Sequence, residues 1–232
     1  MGIGRAAHEL SNPQRKFRAP VDTYTPAMPP ATDHRRIGVL GGTFDPPHVG
    51  HLVTAVNVGH LLALDVVLLV VANDPWQKSD SRRITPAAQR LAMVQAAVRD
   101  VNGVEASDLE VRRGGPSYSA ETMAELRLTH PDAELFMVLG ADAAAGLHTW
   151  QRSDELAAMC ELIVVDRPGT SSTEEPEGLP RGFRGRRVEV PRLEVSSTDL
   201  RARAIDGRPL RFLVPDPVIA LVCEQDLYGE RR

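Results

Sequence analysis

From Arg36 onward, strand-like and helix-like runs alternate, and that alternation constrains the fold more than any other feature of the chain. "RIGVLGG" (36–42) reads as a strand and "VGHLVTAVNVGHLLAL" (49–64) as a helix. "DVVLLVVA" (65–72) is apolar throughout after its first residue, the pattern of a strand covered on both faces. "TPAAQRLAMVQAAVRD" predicts a helix capped by Thr85 with Pro86 at its first position. "SYSAETMAELRLTH" predicts another, opened by serine, with Met123, Leu126 and Leu128 on or near one face. "AELFMVLGA" and "CELIVVDRPG" supply two more buried strands, "RVEV" a short one, and "LEVSSTDLRARAIDG" a further helix with a Ser/Thr start. Parallel neighbours need crossovers, and the crossovers must cover the sheet. The expected fold is therefore α/β, a Rossmann-like doubly wound parallel sheet with helices on both faces and a small C-terminal helical part.

The chain has 232 residues, 42% of them hydrophobic, enough for one sizeable core. Residues 1–34 contain five prolines and little aliphatic periodicity, so they read as a flexible extension before a domain at 35–232. Residues 167–186, rich in Gly, Pro, Ser and charge, read as a long exposed loop. A formal charge of −4 argues against a protein that coats nucleic acid; any anion site is expected to be local. No run is long and apolar enough to cross a membrane, and the first thirty residues lack a signal-peptide core. Cys160 and Cys223 lie in apolar runs and read as buried thiols, which fits a reducing cytoplasm. Monomer and homo-oligomer both stay open.

In an open parallel sheet, ligands sit beyond the carboxyl ends of the strands, where "GGTFDPPHVGH" (41–51) lies. Gly41 and Gly42 allow close backbone approach, and the helix starting near Val49 offers unpaired N–H groups to a phosphate. His48 and His51, three apart, would face the same way and add donors. A metal pair and a purely structural turn are the alternatives, although no third ligand stands in evident arrangement. His60 reads as an ordinary partly buried histidine. A second constellation, "SSTDLRAR" (196–203), offers hydroxyls and amides at a helix start with Arg201 one turn on, a second grip for phosphate oxygens. Taken alone, it is also an ordinary capped helix.

Together these two stretches resemble the HxGH and SSTxxR motifs of the nucleotidylyltransferase superfamily, which bracket a nucleotide triphosphate. With "NDPWQK", "TPAAQRLAMVQAAV", "GGPSYSAETMAEL", "MVLGADAAAGLHTW" and "LVPDPVIALVCEQDLY", the likeness extends over nearly all of residues 36–229 and resembles the bacterial nicotinate-mononucleotide adenylyltransferase family. That resemblance implies transfer of the adenylyl group of ATP, with Mg²⁺, to nicotinate mononucleotide in NAD synthesis. It implies Gly41, Gly42, Thr43 and Phe44 as the floor where phosphates and nicotinate nucleotide meet. His48 and His51 would donate to ATP phosphates; Ser197, Thr198 and Arg201 would hold the leaving pyrophosphate. Gly140 and Asp142 would receive adenosine, Tyr118, Ser119 and Trp150 would frame the nicotinate, and Lys78 would reach toward phosphates. Backbone amides at Tyr118 and Ser119 would favour the acid over nicotinamide. The chain departs from the family at Ser119, where threonine is common, and at Trp76 and Gln77, where the family often has a Pro-His pair. Other transferases on the same fold, such as the phosphopantetheine branch, and a sensor that binds ATP without turnover are the competing readings.

Overall fold

In the computed structural model, six strands form one sheet in the order β3-β2-β1-β4-β5-β6, and every neighbouring pair is parallel. The structure describes residues 36–75, 84–166, 179–180, 182–191 and 193–229, which all fall in a compact unit, Thr32–Arg232. The extension 1–34, Trp76, Gln77, Lys78 and most of the 167–186 loop lie outside the described residues. The strands are β1 (Arg36–Gly42), β2 (Val66–Val71), β3 (Val104–Ser107), β4 (Glu134–Gly140), β5 (Glu161–Asp166) and β6 (Gly185–Glu189). The helices are α1 (Val49–Leu61), α2 (Ala87–Val98), α3 (Leu109–Arg113), α4 (Ser119–Thr129), α5 (Ala141–Ala145), α6 (Ser153–Met159), α7 (Ser197–Ile205) and α8 (Asp216–Glu224), with a 3-10 turn at Leu147–Thr149.

Alternation along β2 and β4 explains why these central strands are apolar without a break. Val66 and Val70 of β2 join Met123, Leu126 and Leu156 in one core, while Val67, Leu69 and Val71 join Met93, Val94 and Val218 in another. On β4 the same division sends Leu135, Met137 and Leu139 to the first core, and Phe136 and Val138 to a third one with Val58 and Leu62 of the α1 region. Two covered faces leave these central strands no position for a polar side chain in mid-strand.

Four local expectations change. Pro86 is itself the N-cap of α2 and Thr85 makes no side-chain cap bond; its carbonyl accepts from Arg90 Nε at 2.7 Å instead. Leu128 is 83% exposed, because Met123 and Leu126 already occupy the buried face of α4. His60 is exposed near the end of α1. Of the two cysteines, Cys160 is buried but Cys223 is exposed, on the outward side of α8.

The order 3-2-1-4-5-6 reverses direction between β1 and β4, the switch point where such folds open a crevice. Here the crevice has a visible cause. β1 pairs with β4 only from Arg36↔Glu134 to Val39↔Met137, whereas β1 stays paired with β2 to Gly42 and β4 with β5 to Gly140. The last three residues of each central strand therefore part from one another.

Candidate active site

Two adjoining cavities lie at this opening and share Gly41, Gly42, Thr43 and Ala143. The smaller, about 210 Å³, is bordered by Tyr118, Ser119 and Trp150. The larger, about 1150 Å³, is bordered by Phe44, His48, His51, Gly140, Asp142, Ser197, Thr198 and Arg201. Residues from both sequence motifs and from three further segments thus meet around one floor at the end of β1. Lys78 lies outside the described residues.

The first motif is built around its rings. Phe44 is buried at φ 51°, and a Cβ on Gly42 would sit 2.8 Å from the Phe44 ring, so that position must lack a side chain. The His51 ring meets Phe44 edge-on at 4.9 Å and stacks on His48 at 3.7 Å. His48 is the N-cap of α1 rather than part of its first turn; its backbone N–H donates to His51 Nδ1 at 3.1 Å. Gly50 makes room for this arrangement, since a Cβ there would be 3.0 Å from His48 Nδ1. One donor expected from the helix start is already engaged: the Val49 N–H donates to the Leu213 carbonyl at 3.0 Å.

His48 is 7% exposed, and its Nδ1 has no hydrogen-bond partner among the described residues. Burial pushes its imidazole down from 6.5 to about 4, so at neutral pH it is uncharged. The shift has a consequence for stability. Above pH 6.5 the group is neutral whether the chain is folded or not; below it, the unfolded chain takes up a proton that the folded one refuses until about pH 4. Stability therefore falls as pH drops through that window, by about 3 kcal/mol from this group. Urea unfolding of the wild type and of His48→Gln at pH 7 and pH 4 measures it: the wild type should lose about 3 kcal/mol more than the variant, and equal losses would show that His48 is not held neutral.

The second motif docks directly on the first. Ser196 caps α7, its Oγ accepting from the Asp199 N–H at 3.2 Å. Ser197 Oγ donates to the Pro46 carbonyl at 2.8 Å, Arg201 Nη1 to the Asp45 carbonyl at 2.8 Å, and Arg201 Nη2 to Thr198 Oγ1 at 3.1 Å. Segments some 150 residues apart in sequence are thus bonded directly to each other. On the far wall, Gly140 starts α5 with extended backbone and no Cβ, and Asp142 lies exposed in its first turn. Trp150 follows the 3-10 turn and is half-buried against the first core.

Sequence reasoning missed three residues behind this front. Arg90 of α2 is 1% exposed and donates to the carbonyls of Thr43 (2.9 Å), Ala72 (2.6 Å), Asn73 (3.0 Å) and Thr85 (2.7 Å). It ties the ends of β1 and β2 to the start of α2. Asp45 is also 1% exposed; its carboxylate accepts from the Tyr228 hydroxyl at 2.9 Å and lies 3.5 Å from the Thr85 N–H. Burial and the Asp45 charge push the Tyr228 phenol up, which keeps it a donor. An arginine inside an otherwise apolar helix face, "LAMVQAAV" with Arg90 ahead of it, was the available signal for the first; nothing local signals Tyr228.

Comparison with known proteins agrees with this architecture. Residues 39–203 match the Cytidylyltransferase-like family. A Corynebacterium kroppenstedtii protein named "Probable nicotinate-nucleotide adenylyltransferase" is 42% identical over 201 residues, covering 87% of this chain and 94% of its own. One of the same name from Streptomyces coelicolor is 43% identical over 189 residues, covering 82% and 98%. Among solved structures, a Plasmodium falciparum nicotinic acid mononucleotide adenylyltransferase complexed with NaAD superposes with a TM-score of 0.69 at 17% identity, over 84% of this chain and 98% of that one. That likeness supports the fold. The sequence identities, maintained across nearly the whole of both relatives, place this chain in the nicotinate-nucleotide adenylyltransferase family, within the Cytidylyltransferase-like proteins.

Proposed function

We propose that the chain transfers the adenylyl group of ATP to nicotinate mononucleotide, yielding nicotinate adenine dinucleotide and pyrophosphate. The observation that carries this reading is the pair of adjoining cavities that share the glycine floor at the end of β1, in a chain more than 40% identical to relatives of that name. The larger cavity takes ATP, with Mg²⁺ bound to its phosphate oxygens as part of the co-substrate. The smaller takes the pyridine nucleotide.

A phosphate monoester is already a nucleophile, so the step needs orientation and charge stabilisation more than a base. An oxygen of the 5′-phosphate forms a bond to the α-phosphorus as the bond from that phosphorus to the pyrophosphate oxygen breaks, in line and without a covalent enzyme intermediate. Neutral His48 donates to phosphate oxygen, His51 donates beside it, and Arg201 meets the negative charge that develops on pyrophosphate. Ser197 holds the start of α7 against the first motif, and Thr198 accepts from the Arg201 guanidinium and fixes its position. Preorganised donors of this kind act most strongly where water is excluded. Tyr118 and Ser119 open α4 beside the smaller cavity; the partial positive charge of that helix start receives the nicotinate carboxylate, and Trp150 stacks on the ring.

Pyrophosphate release from Mg·ATP, run in parallel with nicotinate mononucleotide, nicotinamide mononucleotide and phosphopantetheine, tests the reading. Fast release with the first and much slower release with the others is expected. Release with phosphopantetheine alone would keep the phosphate chemistry and overturn the acceptor. Trp150→Ala should raise KM for the mononucleotide by about 2- to 10-fold, the equivalent of one aromatic contact. KM for ATP should stay near its original value; an equal rise in both would return Trp150 to a packing role.

A further inference from the structure

We propose that Glu110 is a specificity-determining residue that recognises the positive charge of the pyridinium ring. The inference rests on the acceptor assignment above and deepens it. Among the described residues that border the smaller cavity, Glu110 is the one with a formally charged side chain, and it is a carboxylate. That is the wrong sign for a pocket whose ligand is an acid, unless the carboxylate addresses another part of the same ligand.

Glu110 lies on α3, directly after β3, and is 7% exposed. Its Oε1 accepts from Thr122 Oγ1 at 2.6 Å, and Thr122 in turn accepts from Arg113 Nη2 at 3.0 Å. Arg113 itself is 3.9 Å from Glu110 but closer to Glu125, at 3.1 Å, and to Glu121, at 3.5 Å. Arg113 is therefore divided among three carboxylates, and Arg112, 3.9 Å from Glu125, is itself paired with Asp108 at 3.0 Å; the acids of this cluster outnumber its two guanidiniums, and negative charge is left facing a cavity otherwise bordered by Met137, Leu139, Trp150 and neutral groups.

A pyridine joined to ribose through its nitrogen carries a fixed positive charge that no change of pH removes. Moving such a ring from water into a largely apolar slot is costly unless the slot supplies compensating negative charge. A tryptophan face supplies some, through its ring quadrupole. A buried carboxylate supplies a full charge. Nicotinate mononucleotide has a zwitterionic head, and this pocket sets the start of α4, with its partial positive charge, beside one carboxylate, so each end of the zwitterion has a complement. Thr122 is the positioning residue: its hydroxyl, in turn held by Arg113, fixes where the Glu110 charge sits.

The test uses two ligands on the full chain by direct binding titration: nicotinate mononucleotide, and the 5′-phosphate of a 3-carboxyphenyl C-riboside. The second keeps the planar ring, the carboxylate and the phosphate but has no ring charge. The wild type should bind the pyridinium form at least about tenfold tighter than the neutral form. Glu110→Gln should weaken the pyridinium form by about tenfold and leave the neutral form nearly unchanged, so that the ratio approaches one; KM for ATP should not move. A wild-type ratio near one overturns the proposal without any variant, and so does an equal loss of both ligands in Glu110→Gln, which is what a merely structural role would give. Binding is read apart from turnover. A ratio near one with pyrophosphate release intact defeats this inference alone, whereas no binding and no release with nicotinate mononucleotide defeats the acceptor assignment as well.

Discussion

Arg90→Leu is expected to lose about 3–5 kcal/mol of stability, the size of effect seen when one partner of a buried charged network is removed. The leucine fills much of the volume, so the loss is not a cavity effect. It comes from the carbonyls of Thr43, Ala72, Asn73 and Thr85, which all accept from this one guanidinium. Without it, acceptors in a region closed to water are unpaired, and each costs about 1–3 kcal/mol before the backbone relaxes. Relaxation has a functional cost, because Thr43 belongs to the shared floor of both cavities. Arg90→Lys tests the geometry separately from the charge: an ammonium cannot reach four carbonyls arranged around a planar fork. We expect Arg90→Lys to recover part of the stability and little of the turnover. Chemical unfolding with activity measured on the same samples decides the matter, and a stable, fully active Arg90→Leu would show that the four bonds are dispensable.

His51→Ala is expected to lower kcat by about 10²–10³, as removal of one preorganised donor does elsewhere. Its ring stacks on His48 and meets Phe44 edge-on, and its Nδ1 accepts from the His48 N–H, so its Nε2 is the nitrogen that carries the ring proton and acts as donor. The arrangement is held by Gly42 and Gly50 and by contacts to buried Phe44, so the fold should survive with only a modest change in melting temperature. A kcat near that of the wild type would remove His51 from the mechanism. A combined loss of kcat and of thermal stability would mean instead that the ring stack holds the loop, and His51→Asn, which keeps a donor, would then separate the two by restoring packing or chemistry but not both.

Much of the front of the site was legible in the sequence because its chemistry is local. A strand that ends in two glycines, followed by prolines and paired histidines, carries its own turn and helix start within eleven residues. "SSTDLR" likewise declares a cap and a basic side chain one turn later, and Ser196 does cap α7. What failed was also local in origin. A threonine before a proline looks like a cap, but the Thr85 carbonyl is turned toward Arg90 by a contact five residues ahead. An apolar helix face looks continuous through Leu128, but the face narrows to Met123 and Leu126, which contact the sheet.

The sequence by itself determined the α/β class, the parallel sheet and the positions of the two candidate motifs, since periodicity, turns and capping are written in neighbouring residues. The tertiary structure decided the rest. It made His48 neutral, because burial acts on an imidazole only after α1, the loop and their neighbours have closed around it. It joined Ser197 to Pro46 and Arg201 to Asp45, and it brought Tyr228 to Asp45 across 183 positions. It also placed a carboxylate, Glu110, in the smaller cavity. Desolvation, hydrogen bonding across the sheet and the parting of β1 from β4 depend on distances that no stretch of neighbouring residues contains.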